Sequence, residues 1–563
     1  MGDSTPRGVA LEGLGEAEAE RLAHDIAEGA GVPHLIARIL VARGVRTPDE
    51  AGVFLRPRLA DLSDPFLLPD MDKAIARLVE AVNRGERICI WGDYDADGIS
   101  CVALMYNFLG HLGVTPVVHI PTREEGYGLH MDKVEDLAKQ GVGLIVSLDC
   151  GASNAAEIAH ARNLGVDTIV IDHHEMGAEV PPAVAVINPK RRDSRFPTRD
   201  LAACGVTFFF LLGLRRVMHG KGLIPSHINL KKELDLVSVG TVGDMVPLTG
   251  DNRVLVRHGM EVMNAMPRAW LKSMLDSRAI SKGLINEFAL GFIIVPRINA
   301  AGRVASPHPA LDFLVARETG SASRLLVDLQ KLNNLRQQRE KKIHEEIVNS
   351  IRRDGLSGRK TIVVFDAKWH AGVLGIVAQK LTEQFEKPAI VITRVNGIWK
   401  GSGRGGDGLD LFEVIGSLSH LLLKYGGHKY ACGISLEEEN LFLFAEAFEK
   451  AVEGNITARK RTVHVDTAAG FDELTAEVME RLEQLGPFGI GNPRPNLALE
   501  AAGISVAPKG YTKVTDGDNR TWDGFYAAKG ALQREGGARI IASPVVRMKM
   551  GERFIHLNIK EVE

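Results

Sequence analysis

Between residues 87 and 171 short apolar runs alternate with helical stretches, and few folds accommodate that order. Runs at 88–91, 117–120, 144–148 and 168–171 read as strands, and 99–112, 132–140 and 154–164 between them read as helices. Strands separated in this way pair in parallel, in a sheet covered on both faces by the intervening helices. The class that follows is α/β. In such sheets ligands bind beyond the carboxyl ends of the strands, so the residues just after each run are the ones to inspect.

The first run ends in Trp91-Gly-Asp-Tyr-Asp-Ala-Asp-Gly98, with Asp93, Asp95 and Asp97 at every second position. Alternate residues of an extended segment point the same way. Carboxylates crowded together repel unless a cation lies between them, and their oxygens suit Mg²⁺ and Mn²⁺. Asp149 follows the run at 144–148, and Asp172-His173-His174 follows the run at 168–171. Three strand tips carrying Asp97, Asp149 and His173 would converge on one edge. A mixed carboxylate and imidazole set suits Mn²⁺ better than Ca²⁺ or a structural zinc, and Asp149 could bridge two ions through its two oxygens. Taken singly, an Asp after a strand is often just the cap of the next helix, and a His-His pair is often a packed surface feature. Caps alone would leave the close spacing of Asp93, Asp95 and Asp97 without a reason. The metal reading is preferred.

A chain of 563 residues is too long for one core and implies about three domains. The net charge of −3 excludes a blanket basic surface, so a nucleic-acid partner would have to meet a local basic lining. The cysteines Cys89, Cys101, Cys150, Cys204 and Cys432 show neither a Cys-x-x-Cys pair nor a zinc spacing, which predicts buried free thiols in a reducing compartment. No stretch reads as a membrane span, and a cytoplasmic protein is expected. Residues 1–70 read as helical and peripheral. Residues 71–320 read as the first α/β domain, 321–356 as a long polar helix bridging two domains, and 357–455 as a smaller α/β domain. Strands are expected there at 362–365 and 389–393, and a boundary at 454–461. Residues 456–563, with short alternating segments at 463–465, 540–542, 545–548 and 554–559, read as a small β-barrel. On the bridging helix Arg336, Arg339, Lys341 and Lys342 are partly cancelled by Glu340, Glu345 and Glu346, which predicts a solvated face.

Asp-Tyr-Asp-Ala-Asp-Gly98, Ser-Leu-Asp149, Asp172-His-His174 and Gly240-Thr-Val-Gly-Asp244 resemble four successive motifs of the DHH phosphoesterase family. Pro296-Arg-Ile-Asn-Ala-Ala-Gly-Arg303, Gly401-Ser-Gly-Arg404 and Gly426-Gly-His428 resemble the bacterial RecJ branch of that family, as does the order of parts. The resemblance implies a parallel-sheet DHH domain, a long helix, a DHH-associated domain and an OB-type barrel. It implies a 5′→3′ exonuclease that degrades single-stranded DNA to mononucleotides in repair and recombination, with two Mn²⁺ or Mg²⁺ ions. Asp95 and Asp149, with Asp93, would hold one ion, and Asp97, Asp149, His173 and Asp244 the other. His174 would contact the scissile phosphate or steady the ligands. Two ions so placed activate a water and stabilise the leaving oxygen of an in-line displacement.

Arg303 and Arg404 stand among small residues, where a backbone can approach a phosphate and an Arg fork can hold its oxygens. A flexible turn with a solvated Arg is the plainer fate of one Gly-Arg pair. The resemblance assigns Arg123, Arg303, Ser402 and Arg404 to the DNA phosphates, with Ser402 and Arg404 on a 5′ phosphate, and adds His428 along the DNA path. Two departures stand out. Gly405-Gly406-Asp407 follows Arg404 where such sequences often carry a Ser, which would loosen that loop, and Cys150 occupies a variable site. Phe488, Trp522, Phe525 and Tyr526 are candidates for base stacking in the barrel, against the alternative that they are core.

Implied partners are single-stranded DNA, a single-strand-binding protein and a helicase, with no membrane, and a monomer. An oligonucleotide or cyclic-dinucleotide phosphodiesterase of the same superfamily would share the metals but usually lacks the barrel. A family pyrophosphatase would carry His where Trp91 stands. An inactive DNA-binding scaffold would tolerate loss of ligands, yet every expected carboxylate and both histidines are present.

Overall fold

The computed structural model describes residues 14–177, 179–224, 228–280, 285–353, 358–406, 408–455, 463–527, 532–549 and 552–563. Asp407 and most of the boundary expected at 454–461 lie outside them. The chain divides into two compact units, one of Ser63–Val246 with His258–Lys460, the other of Met1–Leu62, Pro247–Arg257 and Arg461–Glu563.

The first unit opens with a sheet of β1 (Arg87–Trp91), β2 (Val117–His119), β3 (Val142–Leu148), β4 (Asp167–Ile171) and β5 (Ala185–Ile187). Its order is β2-β1-β3-β4-β5 and every pairing is parallel. Cys89, Trp91, Ile145 and Val170 bury one face against Val134 and Leu137 of the helix Met131–Lys139 and Ile158 and Ala161 of Ala155–Asn163. The alternate residues Ile88, Ile90, Leu144 and Val146 point to the other face and are equally buried. Both faces are therefore covered, as continuous apolar runs require. The strand order reverses between β1 and β3, and that is where an open parallel sheet leaves a crevice at its carboxyl edge. The helices of this unit that surround the crevice and the second sheet include α1 (Ala96–His111), α2 (Ala203–Gly220), α3 (Leu234–Gly243), α4 (Val295–Val304), α5 (Thr319–Arg353) and α6 (Leu374–Phe385).

The second sheet of this unit comprises β6 (Ile362–Phe365), β7 (Ala389–Val395), β8 (Ile398–Arg404), β9 (Lys424–His428) and β10 (Ala431–Leu436), in the order β6-β7-β8-β10-β9. Only β6 and β7 pair in parallel. The long helix α5 joins the two bodies through its apolar stripe. Ile343, Ile347, Val348 and Ile351 pack with Val377 and Leu381 of α6 and with Val364 and Val391 of the second sheet. The face expected to be solvated is in part enclosed. Arg336 donates to Glu340 at 2.7 Å and to Asn333 at 2.7 Å, and both members of the ion pair are nearly out of solvent. Lys380 of α6 also reaches Glu340, which makes the carboxylate a tie between α5 and α6.

In the other unit β12 (Leu497–Val506), β13 (Tyr511–Thr515), β14 (Thr521–Tyr526), β16 (Glu552–Val562) and β15 (Leu532–Lys549) pair in that order, and β15 returns to β12. The result is a closed five-stranded barrel, with β11 (Thr467–Ala469) parallel to β12. The segments expected at 540–542 and 545–548 are one continuous strand, because antiparallel pairing with β16 carries through Pro544. Residues 463–465 form no strand. The helices Glu16–Ala30, His34–Ala42 and Pro48–Leu55, expected to be peripheral, share one buried cluster with the barrel, from Ile26, Ile36 and Leu40 to Leu482, Leu499 and Ile540. Of the four aromatic candidates Phe488 is core, and Trp522 and Tyr526 pack against the same cluster. Phe525 is 41% exposed and lies edge-on to the Tyr511 ring, with centroids 6.5 Å apart. All five cysteines are free and buried. No described helix is long and apolar enough to cross a membrane.

Candidate metal centre

The acidic motif does not reach the sheet edge as an extended strand. β1 ends at Trp91, and Asp95 is the N-cap of α1, where its Oδ1 accepts the amides of Asp97 at 2.9 Å and Gly98 at 3.1 Å. Asp97 therefore lies in the first helical turn. Its two oxygens accept the amides of Ala203 at 2.7 Å and Cys204 at 2.9 Å, buried donors of the first turn of α2 that have no intrahelical acceptor. Gly240 of α3 makes room for that carboxylate, since a Cβ there would lie 2.5 Å from Asp97 Oδ1. Asn299 of α4 accepts the amide of Ala96 at 2.8 Å and so completes the cap of α1. The carboxylates converge because a capped helix start meets two other helices, not because a strand alternates.

Asp149 follows β3 with φ at +62°, a left-handed conformation that non-glycine residues seldom adopt. Its backbone is fixed on both sides: its amide donates to the Ile171 carbonyl at 3.0 Å, and the Tyr127 hydroxyl donates to its own carbonyl at 3.0 Å. The turn aims the side chain at the crevice. His173 Nε2 lies 3.4 Å from Asp149 Oδ1 and 3.5 Å from Asp244 Oδ2, with Asp244 supplied by the C-cap of α3. Three donor sets result, each with its ligand atoms within 4.8 Å of one another: Asp93, Asp95 and Asp149; Asp97, His173 and Asp244; and Asp149, His173 and His174. Asp149 is common to the first and third.

Buried polar atoms normally have partners. Here Asp93 Oδ1, Asp149 Oδ1 and His173 Nε2 are buried without a hydrogen bond, and all three point into the cluster. Burial, then the neighbouring carboxylates, push Asp93, Asp149 and Asp244 well above the usual carboxylate range, and burial lifts Asp97 to about 6. Burial and the adjacent His174 lower His173 to about 3, which keeps its ring neutral and able to ligate. Hard oxygen donors with one neutral imidazole fit Mn²⁺ or Mg²⁺, and a divalent cation among them would reverse the carboxylate shifts.

His174 is held differently. Its Nδ1 donates to Asp172 Oδ1 at 2.8 Å and lies 3.0 Å from the Tyr127 hydroxyl, and its carbonyl accepts the Asn188 amide at 2.9 Å. Burial disfavours a charged ring, but the hydrogen bond and charge of Asp172 outweigh it and raise His174 to about 9. The ring is 37% exposed, and Nε2, the nitrogen not bonded to Asp172, carries the second proton of an imidazolium. Asp172 and Tyr127 were not singled out from the sequence. Asp172 stood inside a motif without a role, and nothing in the spacing around Tyr127 marks it.

The expected phosphate residues fall in two groups, Arg123 and Arg303 near Tyr94 of the acidic motif, and Ser402 and Arg404 against Gly375 of α6. Arg123 stacks over the Tyr94 ring at 4.1 Å, between two of the acidic ligands. Gly302 of α4 approaches the same residue so closely that a Cβ would lie 2.3 Å from the Tyr94 carbonyl oxygen. The next side chain, Arg303, donates to the Gly372 carbonyl at 3.2 Å, and burial together with Arg123 lowers it to about 9. Gly375 of α6 abuts both Arg404 Nη2 and Ser402 Oγ, and Arg404 Nη1 donates to that same Oγ at 3.2 Å. His428 is exposed on the edge strand β9. The register Arg404↔Ala431↔His428 sets its backbone two strands from Arg404, about 10 Å away. Gly302→Ala should force α4 from Tyr94 and cost about 1–3 kcal/mol, visible as a lowered thermal midpoint.

Residues 87–241 match the DHH family, N-terminal domain, and residues 358–454 match the DHHA1 domain. The single-stranded-DNA-specific exonuclease RecJ of Escherichia coli (strain K12) is 35% identical over 486 residues, which cover 83% of each chain. The protein of that name from Bacillus subtilis (strain 168) is 34% identical over 473 residues, covering 83% of this chain, and this chain spans 59% of its length. The crystal structure of RecJ in complex with Mn²⁺ from Thermus thermophilus superposes with a TM-score of 0.82 at 26% identity, over 96% of this chain and 78% of that one. A Mg²⁺ complex from the same source superposes with a TM-score of 0.76. By sequence identity and coverage, this chain belongs to the RecJ family of DHH proteins.

Proposed function

We propose that this chain hydrolyses single-stranded DNA from its 5′ end, releasing 5′-mononucleotides with the help of two divalent ions, Mn²⁺ or Mg²⁺. The observation that carries this reading is the convergence of three donor sets on one cluster, with Asp149 common to two and three buried polar atoms without a hydrogen bond. Asp93, Asp95 and Asp149 would hold one ion, and Asp97, Asp149, His173 and Asp244 the other. Ions held there would supply an activated water and neutralise charge on the leaving oxygen. The chain's own groups do the rest. His174 presents a proton to a phosphate oxygen, and Arg123 and Arg303 lead the backbone away from the cluster. Ser402 and Arg404 grip a terminal 5′ phosphate, which makes cleavage begin at that end. His428 guides the strand at the far edge. On this reading residues 71–320 carry the metals, 321–356 connect, 357–455 hold the terminal phosphate, and 456–563 add a strand-binding barrel. By family resemblance a single-strand-binding protein and a helicase would be partners of a cytoplasmic monomer.

The test is digestion of single-stranded DNA with Mn²⁺, labelled in turn at each end, beside duplex and dinucleotide substrates. Immediate release of the 5′ label as mononucleotide, with duplex spared, is expected. Cleavage of the dinucleotide alone would assign a small-substrate phosphodiesterase, and metal-loaded binding without cleavage a scaffold. Arg404→Ala should raise KM about tenfold on 5′-phosphorylated strands, the worth of one charge-assisted contact, with less effect on unphosphorylated ends and none on the Mn²⁺ requirement.

A further inference from the structure

One turn before Arg303 on α4 stands Asn299, which has no part in the roles above. Its surroundings give it one. Asp95 caps α1 with its own Oδ1, which accepts the amides of Asp97 and Gly98, the second and third residues of the helix. A capping side chain serves those amides and not the first, so the amide of Ala96 needs another acceptor. Ala96 is 1% exposed, and the acceptor comes from the protein. Asn299 Oδ1 lies 2.8 Å from that amide. The same face of α4 presses Gly302, three residues on, against the Tyr94 carbonyl. From the other side Gly243 of α3 leaves room for the Ala96 Cβ, since a Cβ of its own would lie 2.9 Å from it. Residues 94–96 therefore run in a slot between two helices, and Asn299 ties them to one wall.

The place of that tie gives it a use. Asp95 belongs to the donor set of Asp93, Asp95 and Asp149, and Asp97 to the set of Asp97, His173 and Asp244. The Ala96 amide lies on the backbone between them. One hydrogen bond thus holds the stretch of chain from which a ligand of each set projects. We propose that Asn299 is a positioning residue for both ions, whose side-chain carbonyl keeps Asp95 and Asp97 aimed into the cluster. This rests on the two-ion nuclease reading above.

Three variants of the full chain decide it. Asn299→Leu removes the acceptor at similar size, and Asn299→Asp keeps it. Thr47→Ala is the control for a cap lost elsewhere, since Thr47 accepts the Glu50 amide at 3.2 Å at the start of the helix Pro48–Leu55. Each is measured for Mn²⁺ stoichiometry and affinity by electron paramagnetic resonance, for kcat and KM on 5′-phosphorylated strands, and for the metal-free thermal midpoint. Asn299→Leu should weaken both ions about 10- to 100-fold and lower kcat at fixed Mn²⁺, with KM unchanged. Asn299→Asp should recover most of both losses. Thr47→Ala should lower the midpoint and leave Mn²⁺ binding alone. Parental Mn²⁺ affinity in Asn299→Leu would overturn the proposal, because Asn299 would then only cap a helix. So would weakening of one ion alone, or a loss in Asn299→Asp equal to that in Asn299→Leu. A raised KM with Mn²⁺ binding intact would also overturn it, by assigning the effect to Arg303. If Asn299→Leu does not fold, Asn299→Ala, which adds no bulk, is read in its place. Hydrogen exchange in the metal-free parent needs no variant: the Ala96 amide should be protected, and free exchange there would overturn the proposal. A parent chain that binds two Mn²⁺ but cuts no strand would sink the nuclease reading, and the affinity measurements would still judge Asn299.

Discussion

Asp149→Ala should lower single-strand cleavage by roughly 10³-fold or more, because it removes the one carboxylate common to two donor sets. Other carboxylate ligands belong to one set each. On the proposed assignment Asp149 serves both ions, and its loss would unlink the two halves of the centre. The fold should survive. The Asp149 side chain makes no hydrogen bond through Oδ1, while the bonds that fix this turn run through its backbone to Ile171 and Tyr127. Alanine at φ +62° costs about 1 kcal/mol more than aspartate, and relief of carboxylate repulsion offsets this in the metal-free protein. The thermal midpoint without metal should thus hold or rise, while stabilisation by added Mn²⁺ falls sharply. Cleavage, Mn²⁺ stoichiometry and melting are measured together. Substantial residual cleavage with Mn²⁺ would remove Asp149 from its shared position.

How far the sequence foretold this centre differs from residue to residue. The strand tips were legible, because apolar runs of strand length alternated with helices and the ligands followed them directly. The reason the carboxylates meet was not. Strand alternation was expected to align Asp93, Asp95 and Asp97, whereas Asp95 caps α1 and Asp97 lies in its first turn. The cap reading and the ligand reading, weighed as rivals, are compatible for Asp95, since one carboxylate oxygen can cap while the group still faces the cluster. Asp244 comes from the end of α3, far along the chain, and no local period points to it; only the motif resemblance did. Tyr127 meets His174 from 47 residues away, and such a pairing leaves no trace in spacing, while Asp172, two residues before His174, bends its carboxylate back onto the ring in a turn that no periodicity marks. The same limit hid the shared core of the N-terminal helices and the barrel. Ile36 and Leu499 are plain apolar residues until the fold brings them together.

Asp172→Asn is the sharper probe of His174. Asp172 Oδ1 accepts the amides of His173 at 2.7 Å and His174 at 3.1 Å as well as His174 Nδ1, and Oδ2 accepts the Ala152 amide at 2.9 Å. Four donors converge on one buried carboxylate. Burial opposes its charge, yet the hydrogen bond and charge of His174 hold it well below the usual range. An asparagine of the same shape must turn its NH₂ towards one of those donors, at a cost of about 1–3 kcal/mol, and it no longer favours the imidazolium. The ring of His174 would lose its orientation and its charge together, and kcat should fall roughly 100-fold, the upper end for a group that orients a catalytic ring. Mn²⁺ affinity should change far less, because the His173 ring reaches Asp149 and Asp244 without touching the Asp172 carboxylate. Electron paramagnetic resonance titration beside steady-state kinetics separates the two effects. If Mn²⁺ affinity fell in step with kcat, Asp172 would act by holding the metal ligand His173, and the Nε2 proton of His174 would lose its place in the mechanism.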